Sequence, residues 1–153
     1  LFADKSKRFV AAIQCGRKGL EKGIIKNLIK LLYKKGSSRE DLLVAIGPSI
    51  SKKNYLVDKK FFKEFYKNIE HKKLISFNRK NENLLNLRNF LPNKKLGLIE
   101  LDLKKVAYLQ ILNENIPSNN IEISNLCTYE SDNEFYSWRK NKTTSRQWNF
   151  ICP

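Results

Sequence analysis

The sequence predicts an α/β (α+β) fold, a layered mixed sheet with flanking helices in a single domain. Three observations predict it. Short β-rich apolar runs interleave with segments of helical hydrophobic spacing in the first part of the chain, and strand-like runs dominate the last part. Glycine, proline and clusters of small polar residues separate the pieces. The 153 residues, 41% hydrophobic and 11% aromatic, suffice for one buried core and are too few for two comfortable ones.

Each element has a local reason. Leu1 to Asp4 reads as the middle of a strand entering a turn. Phe9 to Ile13 is an apolar run of buried-strand length, broken by Gly16 and Gly19. Leu20, Ile24, Ile25, Leu28 and Leu32 then repeat at helical spacing with lysines between them, and Gly36 is placed to cap that helix. Ser37 to Asp41 predicts a short serine-capped helical turn. Leu42 to Ile46 predicts a second buried strand, ended by Gly47-Pro48, and Ser49 to Asp58 a loop. Asp58 to Ile69 predicts a helix whose Phe61, Phe62, Phe65, Tyr66 and Ile69 form a core stripe. Leu74 to Phe77 reads as a strand, and Asn78 to Lys95, rich in Asn, Lys and Arg, as an irregular insertion pinned by its leucines. Leu96 to Leu101 predicts a strand, followed by a helix capped by Asp102 and running to about Asn115, where Ile116-Pro117 stops it. Ile121 to Ser124, Glu134 to Trp138 and Gln147 to Ile151 predict the closing strands.

Composition narrows the function classes. No apolar run approaches the roughly 20 residues that cross a bilayer, and no secretory leader is visible, so a cytoplasmic location is expected. The chain lacks methionine, including at position 1, and is read as the C-terminal part of something longer. Cys15, Cys127 and Cys152 are too scattered for a disulfide framework, and His71 is the only histidine. A structural zinc site needs about four Cys or His ligands, so no metal ligand is assigned within this chain. Thirty Lys+Arg against 15 Asp+Glu give a net charge of +15, which suits a nucleic acid or an anionic substrate. The lysines are spread from Lys5 to Lys142, the pattern of solvated helix faces, so nucleic acid is the weaker expectation.

Two stretches carry candidate chemistry. The strand–glycine–helix junction after Ile13 would present backbone N–H groups and the positive end of a helix dipole to an anion. It delivers Gln14, a residue that binds but is a poor acid, base or metal ligand. Cys15 beside a helix start is either a reactive thiol or a buried apolar one. Near the C-terminus, Cys127-Thr128 precedes a basic tract holding Arg139 and Arg146, with hydroxyl residues between them. Two guanidinium groups so placed suit phosphate or carboxylate recognition; a solvated arginine pair is the alternative. Gly16-x-x-Gly19 matches neither a dinucleotide nor a phosphate-loop pattern, and Ser49 lacks a nucleophile-elbow context.

The ordered segments VAAIQCGRKGLEKGI, VAIGPSISKKNYLVD, LDLKKVAYLQIL and CTYESDNEFYSWRKNKTTSRQWNFI resemble the laccase-domain (YfiH-like) family. That family has been described as a multicopper polyphenol oxidase and as a purine nucleoside phosphorylase. The match runs from Val10 to Ile151 and is most specific in the closing C-T…F-x-S-x-R…T-x-R pattern. It implies that residues 1–153 are the C-terminal portion of one such domain. The first motif reads close to H-A-G-W-R-G in the family. Gln14 then stands at its histidine, Cys15 at its alanine, Arg17 at its tryptophan and Lys18 at its arginine. The resemblance implies that this histidine binds zinc (or copper) with an upstream histidine and cysteine, both of which would precede Leu1. In the second motif Gly47, Pro48 and Tyr55 match, while Asn54 occupies a frequent cysteine position. The implied activity is phosphorolysis of purine nucleosides, with adenosine deamination and methylthioadenosine cleavage also attributed to the family. Purine nucleoside and phosphate are then the expected partners. The candidate catalytic positions are Gln14 and Cys127, and Lys18, Arg139 and Arg146 are the candidate phosphate-binding residues. The contrary expectation is a degenerate member that keeps the fold without metal chemistry, and this chain alone is expected to be inactive.

Overall fold

The computed structural model describes residues 1–6, 9–75, 92–93, 97–131, 134–142 and 144–153. Its main sheet has the order β2-β1-β3-β7, built from β1 (Phe2–Asp4), β2 (Val10–Ala11), β3 (Leu42–Ile46) and β7 (Ile121–Ile123). β1 lies antiparallel to both β2 and β3, whereas β3 and β7 are parallel, with Val44 opposite Ile121 and Ile46 opposite Ile123. A smaller antiparallel sheet has the order β4-β6-β5, from β4 (Leu56–Val57), β5 (Pro92–Asn93) and β6 (Leu98–Glu100). The helices are α1 (Arg17–Lys22), α2 (Ile24–Lys34), α3 (Lys59–His71), α4 (Leu103–Asn113) and α5 (Trp138–Asn141). This is the mixed α/β arrangement that the alternation of patterns predicts.

The core forms where period-2 and period-3.6 faces meet. Alternate residues Leu42 and Val44 of β3, with Phe2 of β1, turn toward Ile25, Ile29 and Leu32 of α2 and Val106, Leu109 and Ile111 of α4. Each of these buried apolar side chains contributes about 1.5–3 kcal/mol. The alternating partners Leu43 and Ala45 point to the opposite, exposed face. From α3, Phe62, Phe65 and Ile69 are buried, with Phe61 and Tyr66 at the margin of the stripe. Asp58 caps α3 by accepting the Phe61 N–H at 2.7 Å, and Asp102 caps α4 by accepting the Lys105 N–H at 2.9 Å.

Several predicted elements take a different form. The helix read through Leu20 to Leu32 is two helices, because Gly23 adopts φ +76°, a left-handed conformation that closes α1 and opens α2. Its N–H bonds back to the carbonyls of Gly19 and Leu20, and the buried Gln110 amide donates to the same Leu20 carbonyl at 3.0 Å. The strand expected from Phe9 to Ile13 pairs only at Val10–Ala11. Ser37 to Asp41 is a turn without helix, in which the Ser38 hydroxyl accepts the Asp41 N–H at 3.2 Å. The Ser49–Asp58 loop contains a 3-10 turn at Lys52–Asn54 and the short β4. Leu74 and Ile75 are buried without joining a strand, and the insertion of residues 78–95 lies outside the described residues apart from β5. The helix after Asp102 ends at Asn113, because Asn115 takes φ +62°. Glu134 to Trp138 is no strand; it leads into α5. Gln147 to Ile151 joins no sheet, and Trp148 and Phe150 stand 83% and 77% exposed. A strand needs a neighbour for its backbone N–H and C=O groups, and none of the described strands pairs with this segment.

Candidate functional site at the ends of β3 and β7

Because β3 and β7 are parallel neighbours, the chain leaves both at the same edge of the sheet, a common location for sites in α/β folds. The segments that follow stay side by side. Ser124 N–H donates to the Ile46 carbonyl at 2.8 Å, Ser49 and Cys127 form a parallel bridge, and Thr128 N–H donates to the Ser49 carbonyl at 3.3 Å. The Lys104 ammonium of α4 holds the β7 side by donating to the carbonyls of Ser124 (2.7 Å) and Leu126 (3.0 Å). Residues about 75 positions apart in sequence thus meet: the Ser51 N–H donates to Cys127 Sγ at 3.2 Å, with |i−j| of 76.

A polar cluster surrounds that thiol. Asn54 Nδ2 reaches Cys127 Sγ at 3.7 Å, donates to Ser51 Oγ at 2.9 Å and donates to the Glu130 carboxylate. Glu130 also accepts from the Ser51 hydroxyl at 3.3 Å and pairs with Lys53 Nζ at 3.0 Å. Lys53 and Asn54 hold the exposed Glu130 carboxyl below the usual carboxylate range. Burial alone would push the Cys127 thiol up. Hydrogen bonds from Ser51 and from the Tyr129 and Glu130 backbone outweigh it and bring the thiol from 9.0 to about 7. Cys127 is therefore a group able to exchange a proton near neutral pH.

Next along the loop stands Tyr55. The Arg139 guanidinium lies over its ring, 4.6 Å from the centroid. Arg139 is exposed, and among the described residues it has no carboxylate partner. Lys140 and Lys142 of the same segment lie over Tyr129 and Trp138, at 5.7 and 4.0 Å. Arg146 is exposed and its guanidinium donates to the Ser145 carbonyl at 2.8 Å.

The first motif has a different setting. Gln14 and Lys18 are exposed, and none of the contacts that join the β3 and β7 loops includes them. Gly19 is needed for close passage: a Cβ there would sit 3.3 Å from both the Gln14 carbonyl and Ile24 Cγ2. Arg17, at the family tryptophan position, packs its guanidinium over Phe61 at 4.6 Å and pairs with Glu21 at 3.6 Å. Of the two readings of Cys15, the buried apolar thiol holds: burial pushes it up to about 11. The helix behind the junction has six residues and no side-chain cap hydrogen bond.

Sequence reasoning named Cys127 and Arg139 but missed Ser51, Lys53 and Glu130. No local signal marks these three, since each acts through a partner more than 70 positions away. Tyr55 and Asn54 were visible only as motif positions.

These features define a mixed α/β protein with a thiol-, carboxylate- and arginine-bearing site at the ends of two parallel strands. The chain belongs to the family described as multi-copper polyphenol oxidoreductase laccase, which matches residues 1–153. It is 29% identical over 154 residues to a purine nucleoside phosphorylase of Synechocystis sp., covering 99% of this chain and 58% of that protein. It is 32% identical over 141 residues to a purine nucleoside phosphorylase of Bacteroides thetaiotaomicron, covering 92% of this chain and 47% of that protein. Among solved structures it resembles the hypothetical protein YfiH of Bacillus licheniformis, with a TM-score of 0.71 and 26% identity over 92% of this chain and 48% of the other. YlmD from Geobacillus stearothermophilus gives a TM-score of 0.66 at 25% identity, over 86% and 44% of the two chains. The chain spans about half the length of the curated relatives it matches.

The family's name implies metal use. Among the described residues no three His, Cys, Asp or Glu side chains gather where they could hold an ion. Gln14, at the family histidine, has no carboxylate, thiolate or imidazole to offer, so the described residues do not by themselves fit a zinc or copper site. No helix among the described residues is long and apolar enough to cross a membrane.

Proposed function

We propose that the chain is the C-terminal portion of a laccase-domain enzyme that cleaves purine nucleosides such as inosine and adenosine with phosphate. The observation that carries the reading is the meeting of the second and last family motifs at one site, where Ser51 and Asn54 reach Cys127, and Arg139, over the neighbouring Tyr55 ring, has no carboxylate partner among the described residues. The names of the relatives, at about 30% identity, support the same reaction class.

In phosphorolysis a phosphate oxygen forms a bond to the sugar C1′ as the bond from C1′ to the purine nitrogen breaks, and the purine takes up a proton. Arg139 suits the phosphate, because a guanidinium can donate two parallel N–H bonds to adjacent oxyanions. Lys18 and Arg146 would add positive charge that draws the anion in. Cys127, near neutrality in its titration, is the candidate group for exchanging the proton. Gln14 would bind substrate through its amide. Adenosine deamination is a further candidate activity.

The reading that this is a portion of a larger domain is supported by the sheet. Leu43 is 39% exposed on the face of β3 turned away from the core, beside a groove of about 510 Å³ lined by Leu43, Ala45, Ile121 and Ile151 among others. One specific observation favours a second reading, a fold-retaining member without catalysis: a glutamine stands at the family metal-histidine position.

The test is turnover of inosine and adenosine with phosphate by the intact protein, with metal content measured on the same sample. Activity, together with a raised phosphate KM in Arg139→Ala and Arg146→Ala, supports the enzyme. No turnover and no bound metal leaves the scaffold.

A further inference from the structure

The geometry points to Tyr55 as the positioning residue of an oxyanion site, holding the Arg139 guanidinium by its face so that its in-plane donors are presented to inorganic phosphate or a phosphate-like anion. The inference rests on the reading of Arg139 given above and adds the residue that sets its orientation.

Three observations converge on Tyr55. Its backbone is fixed on both sides: the Tyr55 N–H donates to the Lys52 carbonyl at 3.1 Å, and its carbonyl accepts from the Leu101 N–H at 3.0 Å. Its ring is half-buried and packs against the hydrophobic core, which anchors it in the body of the protein. The Arg139 guanidinium lies over that ring at 4.6 Å from the centroid. A guanidinium is planar, with all five N–H donors directed outward in its own plane. Stacking on an aromatic face therefore occupies a surface that makes no hydrogen bonds and leaves every donor free. An arginine in an ion pair with a carboxylate would have spent two of those donors, and among the described residues Arg139 has no such pair.

The loop that carries Tyr55 is fixed in turn. Asn54, one residue before, bridges Cys127 and Glu130, and Lys53 pairs with Glu130 at 3.0 Å. Ring, guanidinium and thiol are thereby held as one unit across the two loops. An arginine on an exposed four-residue helix otherwise samples many rotamers, and fixing it beforehand removes that ordering cost from anion binding.

The experiment uses the intact protein and inorganic phosphate, read in two ways. Phosphate affinity is followed from the side-chain N–H resonances of 15N-labelled arginine, which needs no turnover, and phosphate and nucleoside KM values are measured separately. Tyr55→Leu, which retains apolar packing but has no ring face, should weaken phosphate binding about two- to fivefold, leaving nucleoside KM unchanged. Tyr55→Phe should retain the affinity. Arg139→Lys, an exposed change that keeps the charge but cannot stack or donate as a fork, should lose at least as much. In the Arg139→Lys background, Tyr55→Leu should add nothing, which separates positioning from a general structural effect. An unchanged phosphate affinity in Tyr55→Leu, or an equal loss in both backgrounds, overturns the role of Tyr55. Unchanged phosphate binding in Arg139→Ala overturns the underlying reading of Arg139 itself.

Discussion

Gly23 is the position at which one methyl group tests the largest departure from the sequence pattern. Its φ of +76° is a conformation in which an L side chain costs about 1–2 kcal/mol. A Cβ there would also stand 2.8 Å from Leu74 Cδ2, closer than nonbonded carbons approach. Leu74 is buried at 4% exposure, so its methyl has little room to withdraw, and such overpacking adds roughly 1–3 kcal/mol. Loss of glycine's freedom in the unfolded chain offsets about 0.4–1 kcal/mol. Gly23→Ala should therefore destabilise by about 2–4 kcal/mol, a large share of the roughly 5–15 kcal/mol that holds a typical domain. Gly97 supplies the control. It too is left-handed, at φ +64°, but a Cβ there meets nothing within 4 Å among the described residues, so Gly97→Ala should cost only about 1 kcal/mol after the same offset. The assay is equilibrium urea unfolding of both variants. A Gly23→Ala cost below about 0.5 kcal/mol, or one equal to that of Gly97→Ala, would refute the contact between the helix break and Leu74.

The Cys127 thiol is an acid whose folded value, about 7, lies below its ordinary 9.0. Its contribution to stability is thus fully present above pH 9 and is lost as pH falls through 7. Thiolate absorbance in a Cys152→Ser variant should show one group titrating near 7 and Cys15 only near 11. A midpoint for Cys127 at or above its ordinary 9.0 would contradict the described hydrogen bonds. Ser51→Ala, which removes the hydroxyl but keeps the backbone N–H, should move that midpoint upward only in part. Asp58→Ala and Asp102→Ala each remove a helix cap and should cost about 1 kcal/mol in urea unfolding, while the asparagine variants retain most of the stability. Equal losses in the alanine and asparagine variants would show that the carboxylate charge, and not the cap, is what matters.

What was legible in the sequence follows from the range of the forces involved. The β3 strand at Leu42–Ile46, the aromatic face of α3 and the two aspartate caps depend on neighbours within a turn or two, and their patterns stand in the chain as read. The helix break at Gly23 is also local in form, but glycine inside a helical pattern is tolerated often enough that only the Leu74 contact and the Gln110 bond to Leu20 reveal its role. The closing segment Gln147 to Ile151 has a strand's alternation yet joins no sheet, because pairing needs a second strand that local sequence does not supply.

The candidate site divides in the same way. By itself the sequence determined the mixed α/β class and the family, and it marked Cys127 and Arg139 as candidates, because motif residues and hydrophobic periods are written into consecutive positions. Only the tertiary structure decided that Ser51, Asn54 and Glu130 surround the thiol, that Tyr55 carries Arg139, and that burial raises the Cys15 thiol. Those outcomes depend on β3 lying parallel to β7, a pairing between residues about 75 positions apart. Burial and a thiol's proton affinity are properties of the folded surroundings, and consecutive residues carry no record of them.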